Sequence, residues 1–151
     1  MTRQEINDYL NNTKSDFYFL HCDSWHFKTK FKCINCGIQE PNMLNIAAGM
    51  MLEHKNVIVY SIAGFVLEKC LEQIRLVLPD TGSLVILNAG CHGEYPESLG
   101  PGHRFDVKWI QSFLDTTGIY LIDIATTQHL TMENIFDVQY NNKKLILLGR
   151  E

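Results

Sequence analysis

A chain of 151 residues suits one domain with a sizeable core, and 46% hydrophobic against 20% charged residues is an ordinary globular balance. The net charge of −4 carries no like-charge block, and scattered bases such as Lys28, Lys30 and Lys32 argue against a nucleic-acid surface. The polar stretch 1–12 lacks a signal-peptide core, no apolar run nears the roughly 18 residues of a membrane span, and five cysteines without scaffold spacing suit a reducing, cytoplasmic setting.

Ile6, Tyr9 and Leu10 fall at helical spacing within residues 2–11, with Thr2 available as an N-cap. Strands are expected over 17–20 and, shorter, over 31–35. Met43, Leu44, Ala47, Ala48, Met51 and Leu52 form one apolar face of a helix over 41–54. Residues 57–60 are a continuous apolar run of the kind buried in a parallel sheet. A helix over 65–78, closed by Pro79, and a buried strand over 83–87 follow. Beyond a glycine-rich loop at 88–102 come a helix near 105–115, a strand over 119–124, a helix near 131–139 and a strand over 144–148.

Strands alternating with crossover helices predict an α/β fold: a doubly wound, mainly parallel sheet with helices on both faces, as one domain over 1–151. Ligands of such sheets bind outside the carboxyl ends of the strands. Those ends fall at 21–25, 37–40, 61–65 and 88–103.

The segment Asn35-Cys-Gly-Ile-Gln-Glu-Pro-Asn-Met-Leu-Asn-Ile-Ala-Ala-Gly49 puts a carboxylate at the junction of strand and helix. Pro41 suits the first helical position, where its missing N–H costs nothing. On these residues alone, Glu40 reads as a helix-start acid.

Three elements carry a resemblance. Gly-Ile-Gln-Glu-Pro-Asn-Met, followed by Ile-Ala-Ala-Gly, is similar to the Gly-Ile-Ala-Glu-Gln-Asn-Met…Ala-Ala-Gly signature of transketolases and deoxyxylulose-phosphate synthases. The stretch 57–75, ending in Glu-Gln-Ile-Arg, resembles that family's strand, aromatic-bearing turn and helix. Gly100-Pro-Gly-His103 resembles its Gly-Pro-Thr-His. The resemblance spans about residues 17–128 and implies the pyrimidine-binding module of a thiamine-diphosphate enzyme, with Mg²⁺ as second cofactor.

What the resemblance implies can be carried residue by residue. Glu40 takes the position of the glutamate that bonds N1′ of the aminopyrimidine. Such an acid works where its surroundings balance the protonated and ionised forms. Phe65 falls near the aromatic that stacks on the pyrimidine, but the turn needs a one-residue gap, so Ile62 and Tyr60 are alternatives. Asp23 corresponds to an acid near the cofactor, or is a turn residue. His103 matches a substrate-facing histidine able to move protons; His92 is a further candidate at the sheet edge that no motif matches.

The departures are informative. Pro41 replaces a glutamine. Leu99 stands where the family has an acid that reads a substrate hydroxyl. Arg104 replaces another glutamine and offers a bidentate partner for carboxylate or phosphate. No Gly-Asp-Gly occurs, so Mg²⁺ and the diphosphate are expected on a separate diphosphate-binding subunit, in a heterotetramer of two pairs. The expected activity is ketol transfer or carboligation on a sugar phosphate. The alternatives are a 2-oxoacid decarboxylase subunit and a non-catalytic regulatory or scaffold subunit. Cys33-Ile-Asn-Cys36 also admits a redox pair or, with His21, Cys22 and His26, a zinc site. Residues three apart in a strand face opposite ways, which favours structural cysteines.

Overall fold

The computed structural model describes residues 3–23, 28–62, 64–77, 84–89, 107–117, 120–123, 131, 133 and 143–147. In chain order these hold α1 (Arg3–Asn12), β1 (Tyr18–His21), β2 (Lys32–Asn35), α2 (Glu40–Leu52) and β3 (Val57–Ile62). Two π-helical turns follow, π1 (Gly64–Glu68) and π2 (Gln73–Val77). Then come β4 (Leu84–Ala89), α3 (Val107–Leu114), β5 (Tyr120–Asp123) and β6 (Lys143–Leu147). The strands form one sheet in the order β2-β1-β3-β4-β6-β5, and every pairing is parallel. This is the α/β architecture that the alternation of strand and helix predicts.

The central position of β3 explains its composition. Flanked by β1 and β4 and covered on both faces, it has no solvent side, and Val57 through Ser61 are all buried. A strand in that position reads as an apolar run rather than an alternation. One face of the sheet presents Leu20, Val57 and Val59 to a cluster built from Met43, Leu44, Ala47, Ala48 and Met51 of α2. Val66, Leu67, Cys70 and Ile74 join them, as do Ile110 and Leu114 of α3. Each large side chain buried there stabilises the fold by about 1.5–3 kcal/mol. The alternate residues Phe19, Ile58 and Tyr60 point to the opposite face and are also buried, as are Ile6 and Leu10 of α1.

Three expectations are corrected. The helix over 65–78 is not a regular α-helix but the two π turns with a short link between them. Val66, Cys70 and Ile74 recur every four positions and all reach the core cluster, a spacing between the α and π periods that either turn keeps on one face. Second, β3 runs two residues past its apolar stretch, because Ser61 and Ile62 pair with Asn88 and Ala89. Third, those same pairings make 88–89 strand rather than the start of a loop. The Thr2 cap, the loop from 90 onward and most of the helix near 131–139 lie outside the described residues. No helix among the described residues is long and apolar enough to cross a membrane.

Candidate functional site

From β1 the chain moves outward to β2, then returns to place β3 on the other side of β1. That reversal makes the carboxyl ends of β1 and β3 a topological switch point, where a parallel sheet receives its ligands. Glu40 is delivered there by the β2–α2 turn. Gly37 takes a left-handed backbone (φ +67), and Gln39 N–H donates to the Gly37 carbonyl at 2.9 Å. Pro41 then starts α2.

Glu40 is 3% exposed, and its Oε1 accepts a hydrogen bond from the Ser61 hydroxyl at 3.3 Å. Ser61, at the end of β3, is itself 1% exposed. Among the described residues no cation pairs with Glu40, and Ser61 is its one side-chain partner. A buried carboxyl with a single neutral donor is a costly arrangement for stability alone. It leaves hydrogen-bonding capacity on the carboxyl that a further polar partner would satisfy.

Two buried thiols stand near the carboxyl. Burial, helped by the Glu40 charge and opposed by a hydrogen bond from the Gln39 backbone, pushes the Cys22 thiol up to about 11. Burial and then Glu40 push Cys70 up to about 12. Cys22 Sγ lies 3.6 Å from Met43 Sδ, and Cys70 Sγ donates to the Phe65 carbonyl at 3.7 Å.

The remaining expected residues are placed unevenly. Phe65, half-buried in π1, follows β3 directly, and Lys69 Nζ sits 4.2 Å from its ring centroid. Tyr60 and Ile62 alternate with Ser61 along β3, so their side chains leave the opposite face of the sheet. Asp23, exposed with a left-handed backbone (φ 50), sits in a turn at the end of β1. Its N–H donates to Asn35 Oδ1 at 3.3 Å, and Asn35 Nδ2 donates to Asp23 Oδ1 at 2.5 Å. Gly37 N–H donates to the same Asn35 oxygen at 2.9 Å, so the Asp23 turn braces the segment leading to Glu40. His92, His103, Arg104 and Leu99 lie outside the described residues.

Ser61 is the site residue that motif reasoning missed. The signal was present as the period-two series Val57, Val59, Ser61, which puts a hydroxyl on the face that α2 covers. The zinc alternative gains nothing: no group of three or more His, Cys, Asp or Glu among the described residues is arranged to hold a metal, and His26 lies outside them.

The chain matches no protein-family model and no curated protein. Among solved structures it is similar to a split-gene transketolase in an inactive beta4 tetramer, with a TM-score of 0.70 and 16% identity. The likeness covers 99% of this chain and 51% of that one, so the chain spans about half the length of its structural neighbour. The fold is therefore that of a transketolase-like α/β chain.

Proposed function

We propose that this chain is the pyrimidine-binding subunit of a two-subunit, thiamine-diphosphate-dependent, transketolase-like enzyme, with Glu40 as the residue that activates the cofactor. One observation carries the reading: a buried carboxyl, bonded only by Ser61 among the described residues, stands at the switch point of the sheet. The fold likeness and the sequence signature around Glu40 support it, the former as analogy.

Thiamine diphosphate, when bound, supplies a carbon nucleophile at C2 of its thiazolium ring. Glu40 holds and exchanges a proton at N1′ of the aminopyrimidine, and Ser61 fixes the carboxyl through Oε1. Phe65 offers its ring to the pyrimidine once the Lys69 side chain swings aside; Tyr60 and Ile62 are the weaker choices because they leave the other face. Asp23 acts on the cofactor side indirectly, by bracing the turn before Glu40. His103 moves protons at the substrate, His92 is a second candidate for that task, and Arg104 binds a substrate carboxylate or phosphate. Mg²⁺ and the diphosphate sit mainly on a diphosphate-binding subunit, in a heterotetramer of two pairs.

The reaction is ketol transfer or carboligation, with a sugar phosphate as donor. Decarboxylation of a 2-oxoacid is the second catalytic reading, favoured by Leu99 in place of the acid and by Arg104. The neighbour's inactive beta4 state suits a subunit that is silent without its other half; it equally suits a regulatory or scaffold subunit, which would give no turnover in any mixture.

Reconstitution tests the proposal. The full-length chain is mixed with a diphosphate-binding subunit of the same host, thiamine diphosphate and Mg²⁺, and consumption of ketose phosphates and 2-oxoacids is followed. The expected result is cofactor-dependent turnover that neither chain gives alone. Turnover by the other subunit unaided, or none from the assembled pair, would overturn it.

A further inference from the structure

Cys22 and Cys36 each stand one residue past the last registered pair of the β1–β2 ladder, His21 with Asn35. Cys36 N–H donates to the His21 carbonyl at 2.8 Å, which carries the parallel alignment one step further. Neighbouring strands about 4.8 Å apart put two such residues inside the roughly 4.4–6.8 Å Cα window of a disulfide. Both side chains leave the same face: Cys22 belongs to the core cluster over α2, and Cys36 packs against that cluster. Cys33, in register with Phe19 and exposed, sits at a position of opposite parity. The Cys33–Cys36 motif in the sequence is therefore not the pair that the fold brings together.

We propose that Cys22 and Cys36 form a reversible disulfide, a modification site at the carboxyl ends of β1 and β2 near Glu40, made by exchange with a low-molecular-weight disulfide. The half-buried Cys36 thiolate attacks one sulfur of that disulfide, forming a mixed disulfide and releasing one thiol. The Cys22 thiolate then attacks the Cys36 sulfur and releases the second thiol. The balance is two protein thiols and one small disulfide giving one protein disulfide and two small thiols. Burial holds both protein thiols protonated at neutral pH, so the exchange is slow there and faster in mild alkali. The bond draws Cys22 from Met43 and staples β1 to the turn that carries Glu40. It stands on the β1–β2 geometry and not on the cofactor reading: a chain that forms the link without supporting turnover separates the two.

The full-length chain, incubated with oxidised glutathione in mild alkali, is mapped by non-reducing peptide mass spectrometry. Two of the five thiols should disappear, with Cys22 and Cys36 in one linked peptide that dithiothreitol releases. Cys33→Ser should leave this unchanged. Cys36→Ser, at a half-buried site, should abolish the link and spare Cys22. A Cys33–Cys36 or Cys22–Cys70 link, a lasting glutathione adduct on Cys36 with Cys22 free, or no thiol loss in a chain with native circular dichroism would each overturn it.

Discussion

Within β3 a single face changes character from one end to the other. Val57 and Val59 sit in an apolar cluster with Leu44, Ala47 and Leu67, where every buried atom favours the folded chain. Ser61, next on the same face, meets the buried Glu40 instead. Desolvating a carboxyl opposes folding, and one neutral hydroxyl returns only part of that cost. The interior of the sheet is thus built for stability, while its carboxyl end gives stability up for a polar group held in place.

That contrast can be broken by mutation. Leu44→Ala in the apolar half should lower the unfolding free energy by about 2–5 kcal/mol, read from the denaturant midpoint. Ser61→Ala at the polar end should cost less, about 1–3 kcal/mol, with Ser61→Thr keeping most of the hydrogen bond. A Ser61→Ala loss matching that of Leu44→Ala would erase the distinction between the two ends.

Alkali probes the boundary between the two ends through Cys22 and Cys70. Both thiols titrate above the ordinary value of 9.0 in the fold, to about 11 and about 12. The folded state therefore holds their protons more tightly than the unfolded one. Their contribution is complete below about pH 9 and is lost as pH rises through the folded values. Thermal midpoints should fall across that window, and Cys70→Ala should flatten the fall. Smallest of all is Ile38→Ser: 72% exposed beside the Glu40 turn, it should shift stability by no more than about 0.5 kcal/mol.

How much of this was legible in the sequence varied with the range of the interactions. The run 57–60 announced a buried parallel strand because its apolar character is local. Its extension through Ser61 and Ile62 was not legible, since it depends on pairing with β4. Glu40 stood out through Pro41 and the surrounding signature, but its partner lies 21 residues away and is chosen by packing. The π turns escaped because the four-residue recurrence of Val66, Cys70 and Ile74 fits one face of an α or a π turn alike, so the apolar pattern does not separate them. Likewise, Cys22 and Cys36 become neighbours only through the β1–β2 register, whereas the CxxC spacing pointed to Cys33.

Glu40 is proposed to work on the cofactor, and exchange of the C2 proton reads that work directly. In the assembled pair loaded with thiamine diphosphate and Mg²⁺, hydrogen–deuterium exchange at C2 is timed for the wild type and for Glu40→Gln. Glu40→Gln should slow exchange by about 10²–10⁴-fold while the cofactor still binds and the chain stays folded. Exchange in the variant within about twofold of the wild-type rate would contradict it.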